Sequence, residues 1–143
     1  MREIKTEIVI NSKPEKIWSI LVDFANYPNW NPFIKSISGS KEVGKHLMVK
    51  IQPPDSNPMN FSPQILQFES EREFRWKGKL VIKGIFDGEH YFIINDNGDG
   101  TATFTQGEKF SGLLVGFLGK ALENTKKGFV QMNEALKLKC ESS

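Results

Sequence analysis

Three polar side chains set among aromatic ones are where this sequence could do chemistry: His90, Gln106 and Glu108. They come together through a turn. Asn97-Gly98-Asp99-Gly100 is the clearest hairpin signal in the chain, because glycine and Asn/Asp accept the positive φ that tight hairpin loops need. A three-residue loop pairs Asn97 with Thr101, Ile94 with Phe104, Phe92 with Gln106, and His90 with Glu108. Side chains alternate along a strand, so His90, Phe92, Ile94, Phe104, Gln106, Glu108 and Phe110 share one face. Tyr91, Ile93 and Thr105 take the other. An imidazole beside a carboxylate can move a proton, and the same trio can orient a ligand. A satisfied cross-strand pair that only fixes register is the plain alternative. A slip of one residue would remove Glu108 from His90's face, so the constellation depends on register.

Other chemistries find little support. The two histidines, His46 and His90, and the lone Cys140 form no cluster at metal-ligand spacing, so no metal and no cofactor is expected. No serine sits in a nucleophile motif, and no glycine-rich loop opens a helix after a strand. Cys140 stands three residues from the end, in a tail expected to fray, with no assured base. One cysteine allows no intrachain disulfide, and the first ten residues (MREIKTEIVI) alternate and carry charge, unlike a signal peptide. Both favour a cytoplasmic location. Net charge is +2 with lysines dispersed among glutamates, which argues against nucleic-acid binding. The near-apolar residues 113–118 are too few to span a bilayer.

The elements that must hold the trio follow from pattern. At 143 residues the chain is read as one domain over residues 1–143 with one core. Ile4, Thr6, Ile8 and Ile10 alternate with charged or exposed positions as a half-buried strand. Ser12 and Glu15 have capping-box spacing, Pro14 fits a first helical turn, and Ile17, Trp18, Ile20 and Leu21 give that helix its apolar face. Residues 27–33 (YPNWNPF) put three rings and two prolines at a bend. The prolines keep any second helix brief and stop Asn29 to Pro32 from continuing a regular one, while the rings must pack at the rim of a core or pocket.

Strand signals follow over residues 34–38, 46–51, 62–70, 73–77, 88–95 and 101–110. With no helix long enough to cross between them, the sheet must be antiparallel. Leu118, Leu122, Thr125, Phe129, Met132 and Leu136 then step by four and three along one long helix. The expected fold class is α+β, with roughly seven strands curled around a C-terminal helix and two short helices after the first strand.

That order of elements resembles the START-like helix-grip superfamily, also called SRPBCC. Residues 27–33 (YPNWNPF), 73–76 (EFRW), 88–92 (GEHYF) and 108–112 (EKFSG) are similar to its polyketide cyclase/dehydrase-like branch. The resemblance covers nearly the whole chain. It implies an internal cavity between sheet and helix that receives lipids, sterols, polyketides or other apolar molecules. Ligand walls would come from Trp30, Phe33, Phe74, Trp76, Phe86, Phe92, Phe104, Phe110, Phe117, Leu118 and Leu122, and polar contacts from His90, Gln106 and Glu108. The chain's 11 phenylalanines and 3 tryptophans could equally fill a solid core.

Two apolar segments with glycines, residues 79–86 (KLVIKGIF) and 112–119 (GLLVGFLG), could gate an entrance or lie as ordinary strand and helix start. Met59 and Phe61 could join the same rim. The expected function is binding of a small hydrophobic molecule by a monomer or homodimer. A cyclase or dehydratase using His90 as proton shuttle and Glu108 as its orienter is the second reading. A stress- or chaperone-associated adaptor is the third.

Overall fold

The computed structural model describes residues 2–79, 87–112 and 119–142. Phe86, Phe117, Leu118 and most of both glycine-hinged segments lie outside the described residues. The chain runs β1 (Arg2–Ile10), α1 (Pro14–Leu21), a 3-10 turn (Phe24–Asn26), α2 (Tyr27–Trp30), β2 (Ile34–Gly39), β3 (Leu47–Ile51), β4 (Met59–Phe61), β5 (Gln64–Glu69), β6 (Glu73–Lys79), β7 (Asp87–Asp96), β8 (Ala102–Ser111) and α3 (Gly119–Glu141). The fold is mixed α+β, as the sequence predicts, with eight strands among the described residues instead of about seven. The additional strand is β4, three residues that pair with β3 after the proline-rich loop.

Every strand pair is antiparallel. Five strands form one sheet in the order β1-β8-β7-β6-β5, and three form a second in the order β2-β3-β4. The sheets meet where Leu47 N donates to Pro63 O at 2.9 Å and Ile65 N donates to Lys45 O at 2.9 Å. Alternation places Phe74 and Trp76 of β6, Phe92 and Ile94 of β7, and Phe104 and Phe110 of β8 on the buried face.

Local rules explain the helices, with two corrections. Lys13, not Ser12, precedes the first turn of α1, because Pro14 occupies the first helical position; no side chain caps that end. Ser12 instead donates its backbone N–H to Ile10 O at 2.8 Å. Helical geometry also reaches Trp30, past the predicted stop at Asn29, since Pro28 lies in the first turn of α2 where no intrahelical donor is needed. Asn31 ends α2 in an extended conformation, and its Oδ1 accepts the backbone N–H groups of Phe33 (2.9 Å) and Ile34 (2.8 Å), which turns the chain into β2.

Helix α3 covers β1 and β8 and touches α1. Leu122, Phe129, Met132, Leu136 and Cys140 are buried while Lys126, Lys127 and Glu134 face water, as the stripe predicts. Thr125 is half-buried, its hydroxyl turned back to Ala121 O at 2.8 Å. At Gly128 the ring of Phe33 lies against the helix backbone: a Cβ there would fall 2.5 Å from Phe33 Cδ1.

The last turn of α3 is tied down and does not fray. Lys137 Nζ donates to Val9 O (3.0 Å) and pairs with Glu141 (2.6 Å), whose carboxylate accepts Asn11 N–H at 2.8 Å. These contacts hold the Glu141 carboxyl below its usual range and leave Cys140 only 2% exposed. Burial pushes the Cys140 thiol from an ordinary 9.0 up to about 11. In the unfolded chain the thiol ionises first, so its contribution to stability is intact below 9.0 and is lost as pH rises toward about 11. Two results are expected. Ellman's reagent should label Cys140 only on unfolding, and the stability difference between wild type and Cys140→Ala should shrink or change sign across that window. Rapid labelling of the folded protein at pH 8 would contradict this placement.

Candidate functional site

The β7–β8 hairpin has the register its turn predicts. Asn97 N donates to Thr101 O at 3.0 Å, and Gly98 and Gly100 take φ of 80° and 90°. Asp99 accepts both the N–H and the hydroxyl of Thr101, which holds its carboxyl below the usual range. Phe92 therefore stands opposite Gln106, and His90 opposite Glu108. On the outer face Tyr91 donates to Glu3 (2.6 Å) under the guanidinium of Arg75, which also binds Glu73 and Glu89.

On the inner face the predicted trio is part of a longer chain of buried polar groups. Thr6 Oγ1 donates to the backbone carbonyl of Gln106 (2.8 Å). Asn133 Nδ2 donates to Thr6 Oγ1 (2.8 Å), and Gln106 Nε2 donates to Asn133 Oδ1 (2.8 Å) and toward Phe129 O (3.4 Å). Gln106 Oε1 faces His90 Nε2 at 2.9 Å, and His90 Nδ1 faces Glu108 Oε1 at 3.3 Å. All five side chains are buried.

The direction of every bond in the series is fixed from one end. A backbone carbonyl only accepts, so Thr6 must donate to it and accept from the amide of Asn133. Asn133 Oδ1 therefore accepts from Gln106, leaving Gln106 Oε1 to accept. His90 Nε2 must then carry a hydrogen. Nδ1 is the nitrogen left to share a proton with Glu108.

Rings enclose this chain. Trp76 stacks on the imidazole (centroids 5.0 Å, planes at 26°), Phe92 lies 4.7 Å away, and Phe129 of α3 meets it edge-on at 4.9 Å. Glycine at 88 is what admits the Glu108 carboxylate: a Cβ there would sit 2.1 Å from Oε2. Of the other residues predicted to line a site, Phe104 packs on Phe92 (6.1 Å), Phe110 is buried opposite Gly88, Leu122 is buried on α3, and Phe33 packs on Phe129 (5.4 Å). Trp30 is half-buried against Tyr27 (5.4 Å) and makes no ring contact with the trio. Its Nε1 and Asn31 Nδ2 are buried donors with no acceptor among the described residues.

Thr6 and Asn133 are members that sequence reasoning did not assign. The signal for Thr6 was a hydroxyl in an otherwise isoleucine-bearing alternation. For Asn133 it was an amide four residues after Phe129, beside the apolar stripe. Among the described residues no group of three or more His, Cys, Asp or Glu is placed to hold a metal ion. No described helix is long and apolar enough to cross a membrane.

Antiparallel sheets covered by a long C-terminal helix, with short helices after the first strand, are the arrangement of the START-like fold. The chain belongs to the family described as polyketide cyclase / dehydrase and lipid transport, whose model matches residues 1–141. Solved structures share the fold at low identity. A START superfamily protein from Mycobacterium smegmatis matches with a TM-score of 0.77 at 16% identity, over 98% of this chain and 97% of that one. The Zhui aromatase/cyclase from Streptomyces sp. R1128 matches at 0.76 and 10% identity, over 98% and 93%. Protein CV1439 from Chromobacterium violaceum matches at 0.75 and 14% identity, over 97% and 96%. No curated protein matches the sequence.

Proposed function

We propose that this protein binds a small apolar molecule, polyketide- or lipid-like, between the inner face of the five-stranded sheet and α3. The observation that carries the reading is the buried series Glu108–His90–Gln106–Asn133–Thr6 inside an aromatic interior. Replacing such buried pairs by apolar residues of similar volume is often neutral or stabilising, so stability alone does not call for them. A ligand that needs one polar contact within apolar walls does. Trp76, Phe92, Phe110 and Leu122 would supply walls, and Glu108 the contact. Family membership supports the same class of ligand.

An acid–base role for the site assigns the parts differently from the sequence expectation. Both nitrogens of His90 are engaged within the protein, so Glu108 would face the substrate and His90 would supply or hold its proton.

The test has two arms. Native mass spectrometry of the purified protein should show an added small-molecule mass. Titration with the neutral fluorophore N-phenyl-1-naphthylamine should give a saturable rise in emission at one probe per chain. No added mass together with no saturable signal up to the probe's solubility limit would sink the proposal.

A further inference from the structure

We infer that the end of the ligand meeting Glu108 is a neutral hydrogen-bond donor, a hydroxyl such as a phenol or alcohol, and that carboxylates, phosphates and ammonium groups are rejected there. This rests on the binding role proposed above. It follows from counting donors and acceptors along the buried series.

Gln106 has no donor to offer: its Nε2 hydrogens go to Asn133 Oδ1 and toward Phe129 O, while its Oε1 accepts from His90. Neither nitrogen of His90 is open, since Nε2–H goes to Gln106 and Nδ1 to Glu108 Oε1. What remains is Glu108 Oε2, lying over Gly88 and taking no hydrogen bond from any described residue.

Two bare acceptors would repel at 3.3 Å, so the contact places one proton between Nδ1 and Oε1, whichever atom bears it. If His90 holds it, Glu108 is a carboxylate; if Glu108 holds it on Oε1, Oε2 is a carbonyl-type oxygen. Oε2 is an acceptor in both forms. A ligand must therefore bring the hydrogen.

Charge narrows the class further. With a proton held in that contact the pair carries no net charge, so an ammonium group would leave water for a site with no net compensating charge. Among the described residues an anion would meet only acceptor lone pairs there. Among the described residues, Glu108 has no ion-pair partner besides His90. Among the described residues the nearest cation by register on that face is Arg2, opposite Phe110, at the exposed start of β1. A hydroxyl loses least on desolvation and gains a charge-assisted bond when the carboxylate form prevails.

The experiment is a matched series on one ring system at pH 7, each compound displacing N-phenyl-1-naphthylamine: 2-naphthol, 2-methoxynaphthalene, 2-naphthoate and 2-naphthylmethylammonium. We expect 2-naphthol to bind about tenfold tighter than its methyl ether, from one hydrogen bond to a carboxyl group. The naphthoate and the ammonium should bind more weakly than the ether. Glu108→Leu removes the acceptor and should cut the naphthol-to-ether preference about tenfold, to parity. Naphthoate or ammonium binding as tightly as naphthol overturns the inference, as does naphthol binding no better than the ether, or a naphthol-to-ether preference unchanged in Glu108→Leu. The wild-type ranking decides even if that variant folds poorly. Failure of every compound, the ether included, removes the binding role itself and the inference with it.

Discussion

Trp76→Ala is expected to lower the unfolding free energy by about 3–5 kcal/mol, the range for truncating a fully buried large aromatic. The indole is 1% exposed and touches four other rings: Phe61 at 6.5 Å, Phe74 at 5.3 Å, His90 at 5.0 Å and Phe92 at 5.5 Å. Phe74 passes the contact on to Phe68 (5.1 Å) and Phe24 (5.9 Å), and Phe68 to Trp18 (5.1 Å). One aromatic stack thus links β6, β7, β5, the 3-10 turn and α1. Removing its hub forfeits burial and leaves a void that close-packed neighbours fill only in part. Trp76→Phe keeps most of the ring contacts and should cost about 1–2 kcal/mol. Urea denaturation at unchanged m-value reads both. A loss under about 1 kcal/mol for Trp76→Ala would mean the ring borders open space instead of interlocking. Probe binding by the same variant then separates a wall from a strut.

The parts of this site that the sequence displays are those governed by local geometry. Asn97 to Gly100 specify a hairpin by backbone conformation alone, and the period of two then places His90, Gln106 and Glu108 together. The apolar stripe of α3 is equally local, because helical spacing repeats regardless of what the helix packs against. Other features depend on contacts distant in sequence. Asn133 reaches Gln106 only because α3 crosses β8, and Thr6 joins because β1 pairs with β8 at a register no single strand encodes. Strand β4 escaped notice because three residues after two prolines are too few for an alternation to register. Cys140 reads as a tail residue by position, yet Lys137 binds the end of β1, Glu141 binds the turn after it, and together they bury it. Ser12 misleads for a different reason: a proline at the first helical position sets the boundary more firmly than a capping-box spacing does.

Breaking the His90–Glu108 pair from the histidine side should cost about 3 kcal/mol, and a double-mutant cycle should show the two residues strongly coupled. His90→Leu conserves volume but leaves Gln106 Oε1 without a donor and the Glu108 carboxylate among rings without its proton partner. Glu108→Leu leaves only His90 Nδ1 unpaired and should cost less, about 1–2 kcal/mol. In the double variant the stranded charge is gone and apolar contacts replace it, so its loss should be no more than about 1 kcal/mol, about 3 kcal/mol or more below the sum of the singles. Chemical denaturation of the four proteins measures the coupling. Losses that add to within about 0.5 kcal/mol would show that the 3.3 Å contact carries no coupling worth the name. The same four proteins also divide register from recognition. If the double variant is nearly as stable as wild type yet loses its preference for a hydroxylated ring, the polar pair is maintained for a ligand. If it loses stability in full and keeps that preference, the pair is a fastening of the sheet, and the donor-accepting oxygen belongs to some other residue.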